Sequence, residues 1–134
     1  MLGRLWSTKP FALDVGLLLL RIGLGALMMT HGWPKLRTYS TEASTFPDPL
    51  GVSSPISLML TILAELICSA FLIVGLFTRA VLIPLMITML VVIFILLAHE
   101  TLEEREHAIL FLVPYLTLLL TGPGRYSVDH LLKR

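Results

Sequence analysis

Apolar and polar positions follow one another along this chain in long blocks rather than residue by residue. Four blocks are almost wholly apolar, at 11–33, 56–77, 80–98 and 107–121. Each approaches the roughly 20 residues that a helix needs to cross a bilayer; the last is short and is expected to start from polar residues at the interface. An open sheet cannot satisfy its backbone in lipid, and a membrane barrel would show strict alternation, so the pattern predicts helices. The expected architecture is an all-α membrane protein, a bundle of four transmembrane helices in a single domain over 1–134.

The connections are uneven. Lys35 to Pro55 is long and rich in Ser, Thr and Pro, and reads as an exposed loop. Gly75 to Arg79 is so short that the second and third helices must form an antiparallel hairpin. Glu100 to Glu106 is strongly acidic, and Gly122-Pro123-Gly124 is a firm helix stop before a short polar tail.

Composition supports the same class. Hydrophobic residues make up 56% of the 134 and charged ones 14%, with a mean hydropathy of +0.88. Soluble domains carry about 25% charged residues, so there is too little charge here to coat a water-facing surface. The net charge of +1 says little about partners, and no basic block or aromatic-basic alternation points to nucleic acid; the partner the composition implies is the lipid bilayer. A single cysteine, Cys68, excludes an intrachain disulfide and a CxxC redox motif, and its apolar setting reads as packing. Asp14 and Arg21 interrupt the first apolar run and no cleavage pattern follows, so an uncleaved first helix is expected rather than a signal peptide.

Basic residues set the expected orientation. Arg4, Lys9, Arg79, Arg125, Lys133 and Arg134 fall on the side of both termini, against Lys35, Arg37 and Arg105 on the other. The positive-inside rule then places both termini in the cytoplasm.

The candidate chemistry lies in the charges within and beside the apolar blocks. Arg21 and Glu65 each sit about nine or ten residues from a helix entry, so the expectation is an ion pair between them at mid-membrane. Arg21, Gly25, Met28, Gly32 and Lys35 share one helical face, a narrow stripe expected to face the interior. Gly16, Gly23, Gly25 and Gly32 thin the first helix for close packing. At the outer face the topology gathers His31, Lys35, His99, Glu106 and His107, the ligand-binding candidates. Such a cluster suits a quinone headgroup, a lipid, a proton path or a solvated collar of polar side chains. A divalent metal is the remaining option, but no HxxxH or ExxH spacing lies within any one of the four apolar blocks, so that signal is weak and no metal ligand is assigned. Met28, Met29, Met86 and Met89 read as packing.

Several of these motifs together resemble the DoxX family of small four-helix bacterial membrane proteins. They are Leu20-Arg21-Ile22-Gly23, His31-Gly32-Trp33-Pro34-Lys35, Glu65, Gly75 to Arg79, and Gly122-Pro123-Gly124-Arg125-Tyr126-Ser127-Val128-Asp129, spread over about residues 12 to 131. The resemblance implies a multi-pass protein of the bacterial inner membrane, loosely associated with membrane oxidoreductases. Its relatives are similar to a small membrane subunit of a thiosulfate:quinone oxidoreductase. It implies no catalytic residue, and at most a subunit of an enzyme. The functional expectation is therefore a redox-associated subunit that binds quinone or lipid between its helices and serves a partner oxidoreductase, with a homo-oligomer open. The alternatives are a non-enzymatic scaffold or adaptor and a small transporter.

Overall fold

A computed structural model describes residues 2–10 and 12–133. Phe11, where the first span was expected to begin, and Arg134, counted with the basic residues of the terminal side, lie outside the described residues, as does Met1. Among the described residues the chain is helical and has no strand. Its long elements are α1 (Leu13–Arg37), α2 (Ser54–Val74), α3 (Thr78–Leu96) and α4 (Leu102–Thr121). Short turns of helix lie at Leu2–Leu5, Tyr39–Glu42 and Val128–Leu132.

Local chemistry fixes the ends of these helices. The α1 helix runs past Trp33 through Pro34 to Arg37, with Asp14 in its first turn and Lys35 and Arg37 in its last, each charge matching the nearer end of the helix dipole. Ser53 caps α2, its Oγ accepting from the Ile56 N–H, and Pro55 occupies the first turn, where its missing N–H is harmless. Gly75, at φ 76°, ends α2 in the left-handed region, and the Leu76 N–H closes back on the Phe71 carbonyl at 3.0 Å. The acidic stretch expected as a loop is instead the opening of α4. Glu103 and Glu104 sit in its first turn, where the dipole favours them.

The helices α1, α2 and α3 are long and apolar enough to cross a membrane. The charges of its first turns leave α4 outside that measure, although it packs along α3 over much of its length and also touches α1. Leu17, Leu24 and Met28 from α1, Leu72 from α2, Leu82 and Leu85 from α3, and Phe111, Tyr115 and Leu118 from α4 form the main core. A second cluster lies at the loop end, where Leu58, Ile62 and Leu66 pack against Met29, Tyr39, Ala43 and Phe46.

Two of the four glycines singled out in α1 set its contact with α2. A Cβ on Gly32 would come within 2.8 Å of Leu66 Cγ and 2.9 Å of Glu65 Cβ, and one on Gly25 within 2.9 Å of the Ser69 carbonyl oxygen. Gly16 and Gly23 have nothing within 4 Å of such a Cβ among the described residues. The buried face of α1 contains Arg21, Gly25, Met28 and Gly32, four of the five stripe positions, with Lys35 half-buried at its end.

Candidate functional site: a charge pair in an apolar cavity

The glycine contacts place Glu65 beside Gly32, which is eleven residues beyond Arg21 on α1, or about 16 Å along the axis. The expected Arg21–Glu65 pair is therefore not formed. The depth count assumed that α1 and α2 lie level. In fact the first turns of α2, around Leu58, pack on Tyr39 and Ala43 beyond the end of α1, and this offsets Glu65 toward the loop end.

Lys35 takes the place that Arg21 was expected to fill. Its Nζ donates to Glu65 Oε2 at 2.8 Å and to the His31 carbonyl at 3.2 Å. Glu65 lies within a stretch of π-helix, Leu63–Cys68, and a second stretch occupies Val92–Leu96 at the end of α3. Single wide turns of this kind re-aim side chains and recur at functional sites.

Both π stretches border a cavity of about 390 Å³ between α2, α3 and the long loop. Leu60, Ala64, Pro84, Ile87, Val91 and Leu96 form its apolar walls, and Phe46, Pro47, Pro49 and Leu50 of the loop close over it. The hydroxyls on the wall already have protein partners. Ser57 Oγ donates to Asp48 Oδ1 at 2.7 Å, Thr61 Oγ1 to the Ser57 carbonyl and Thr88 Oγ1 to the Pro84 carbonyl. The polar capacity left at the cavity belongs to the charge pair. An ammonium has three donors, of which Lys35 uses two, and Oε1 of Glu65 accepts no hydrogen bond among the described residues. The arrangement can hold a long apolar molecule whose head carries both a donor and an acceptor.

Asp48 also shapes the loop that closes the cavity. Besides Ser57, it accepts from the N–H groups of Val52 and Ser53 at 3.0 and 2.9 Å. The Ser57 hydroxyl first, and these backbone donors after it, hold its carboxyl below the usual range against the opposing effect of burial.

Behind the pair runs an aromatic ladder that sequence reasoning had not assembled. The His31 ring meets His107 edge-on with centroids 5.1 Å apart, His107 stacks toward Phe111 at 5.7 Å, and Phe111 toward Tyr115 at 6.0 Å. Spacing alone could have found its α4 members, since His107, Phe111 and Tyr115 recur every four residues. Tyr115 is fully buried and its hydroxyl has no partner among the described residues. Of the expected outer cluster, His31, Lys35 and His107 thus come together with Glu65. His99 and Glu106 do not join them: His99 lies in the turn beyond the end of α3, and Glu106 lies on another face of α4 with Leu102, Glu103, Ile109 and Leu110. Among the described residues no three His, Cys, Asp or Glu side chains are grouped so as to hold a metal ion.

Arg21 has an architectural setting at the opposite end. It is fully buried, and its Nη1 donates to the Ile73 carbonyl at 3.1 Å and the Leu72 carbonyl at 3.4 Å, while Nη2 donates to the Tyr126 carbonyl. The end of α2 and the closing segment leave the Ile73 and Tyr126 carbonyls without helical partners, while the Leu72 carbonyl also accepts from the Gly75 N–H at 3.1 Å. Asp129 completes the closure by accepting from the N–H groups of Phe77 at 2.7 Å and Thr78 at 2.9 Å, which open α3. Burial opposes ionisation of Asp129, but the backbone donors of Thr78 and Phe77 and the nearby Lys133 outweigh it and hold its carboxyl below the usual range. A depressed carboxyl contributes stability that is complete above the unfolded value of about 3.9 and is lost as pH falls through the folded value. Melting curves in detergent should therefore be flat from pH 7 to about 5 and fall below about 4. Asp129→Asn should melt lower at pH 7 and show a shallower acid decline; an unchanged acid limb would assign the decline to other carboxylates.

Comparison with known proteins places the chain among relatives. A family model described as DoxX matches residues 16–99. The inner membrane protein YqjF of Escherichia coli (strain K12) is 30% identical over 127 residues, covering 90% of this chain and 95% of that protein. No solved structure matches.

Proposed function

This chain belongs to the DoxX family, and from that premise we propose that it is a multi-pass inner-membrane subunit that binds a quinone-like or lipid amphiphile in the cavity between α2 and α3 and serves a partner oxidoreductase. All four long helices cross the bilayer in this reading, with α4 entering through its acidic first turns and both termini in the cytoplasm. The observation that carries the reading is the Lys35–Glu65 pair set in the wall of an otherwise apolar cavity, with one ammonium donor and one carboxylate oxygen unengaged.

The pair is neutral as a unit, so it favours a head that is itself neutral but both accepts and donates hydrogen bonds. A quinone offers carbonyl acceptors to Lys35, and its reduced form offers a hydroxyl to Glu65. The ladder of His31 and His107 lies beside the pair and gives protons a route toward the loop face. The redox association rests on the family resemblance and on this chemistry, and the reaction itself belongs to the partner. The single Cys68, half-buried in α2, leaves this chain without a dithiol of its own.

Native mass spectrometry of the chain purified from its own membrane tests the reading. The wild type should carry one amphiphile of defined mass that organic extraction removes, and Ala64→Trp, which fills the cavity wall, should carry none while keeping the helical content of the wild type. Equal retention by both proteins would refute the site.

A further inference from the structure

A second cleft, of about 730 Å³, lies at the end of the bundle remote from the Lys35–Glu65 pair, where α3 begins, α4 ends and the closing segment folds over them. Its walls carry Arg79, Arg125, His130 and Lys133 together with Asp14 and Asp129. The acids are engaged with the backbone: Asp129 by the N–H groups of Phe77 and Thr78, and Asp14 by the N–H of Arg125 at 2.9 Å. The cations are largely free. Arg79 donates through Nε to the Leu119 carbonyl at 3.0 Å, which leaves both terminal nitrogens. The side chains of Arg125 and Lys133 donate no hydrogen bond among the described residues. The donors still unengaged in this cleft are therefore cationic, while the neighbouring carboxylates are turned to amides.

We propose that this cleft binds a phosphate group, as the headgroup of an anionic phospholipid or as free phosphate. Guanidinium forks match the oxygens of a phosphate, and a lysine adds a point charge that needs no fixed geometry. In the proposed four-span topology the cleft, at the start of α3 and the end of α4, stands at headgroup level. Phe77 and Leu132 line the same cleft and are 62% and 67% exposed. Apolar side chains beside a cationic cleft suit an acyl chain entering with its headgroup, which favours the lipid as the source. This site is independent of the cavity at the other end of the bundle.

The test uses the full chain in maltoside micelles free of phospholipid, with phosphatidylglycerol or inorganic phosphate as probes. Phosphatidylglycerol should raise the melting temperature by about 5 °C at saturation and remain bound in native mass spectra. Arg125→Gln/Lys133→Gln should melt only slightly below the wild type in maltoside alone, since Lys133 is the smallest of the influences that hold Asp129 ionised, and should bind the lipid about 25-fold more weakly, near five-fold for each charge removed. Arg125→Lys, which keeps the charge, should retain most of the affinity. A shift with inorganic phosphate equal to that with lipid would support the phosphate site and assign it to the free anion. No shift of the wild type with either probe, or binding unchanged in the double variant, would overturn the proposal.

Discussion

Arg21→Met should lower the melting temperature in detergent by about 10–20 °C. The change removes a buried cation that binds the carbonyls of Leu72, Ile73 and Tyr126, and it leaves the Ile73 and Tyr126 oxygens without a partner, while the Leu72 oxygen keeps the Gly75 N–H. Each buried acceptor left unsatisfied costs about 1–3 kcal/mol, so the sum is on the order of 4 kcal/mol. At about 2–8 °C per kcal/mol this is a large fraction of the stability of a chain of this size. Arg21→Lys should fall between, because one ammonium cannot span the carbonyls at the end of α2 and in the closing segment as a planar fork does. The closing segment should loosen first, seen as faster hydrogen exchange at Asp129, whose N–H donates to the Gly75 carbonyl. An Arg21→Met protein that melts with the wild type would remove Arg21 from this role.

The second large effect concerns the charge pair. Lys35→Met leaves the Glu65 carboxylate unpaired while its side chain is only 7% exposed, a change that costs about 3 kcal/mol or more. Glu65→Leu frees a lysine that is 26% exposed and can reach water more readily, so its cost should be smaller. Replacing both by apolar residues should recover most of the loss, since a buried pair exchanged for packed hydrophobic groups is often near neutral. The melting temperatures of the two single variants and the double variant therefore give a coupling energy between the positions. Additive losses would mean that the 2.8 Å contact contributes nothing to the fold. In the functional reading the restored double variant is the informative protein, because it keeps the fold and lacks the polar end of the cavity.

Much of this organisation was legible in the residues themselves. Long apolar blocks forced helices, Gly75 and Gly122 marked their ends, and the stripe from Arg21 to Lys35 identified the buried face of α1. Depth was not legible. It depends on where α2 starts relative to the end of α1, and that is fixed by Leu58 and Ile62 packing on Tyr39 and Phe46, contacts that no periodicity announces. The same offset exchanged the partners: Glu65 met Lys35, and Arg21 met backbone carbonyls, which leave no mark in a sequence. The cavity was hidden for a related reason. It exists because two π stretches widen α2 and α3 and because Phe46 to Leu50 fold back over the gap, each a consequence of tertiary packing rather than of local preference. The outer cluster was read from topology, which places residues at one face of the membrane but not on one face of a helix; hence His107 joined His31 and Glu106 did not.

The loop that closes the cavity is held by Asp48, and in the proposed topology it faces out of the membrane. In the functional reading, a partner that exchanges electrons with a bound amphiphile approaches at this loop rather than through the lipid-facing wall. The account thus rests on the cavity being occupied in the membrane. Photolabelling in bilayers with a diazirine-bearing neutral amphiphile tests this most directly. The label should concentrate in the peptides containing Leu60, Ala64, Ile87 and Val91 and should leave them in the Lys35→Met/Glu65→Leu protein. Labelling spread evenly over the exposed faces of the helices, and indifferent to the loss of the pair, would contradict it.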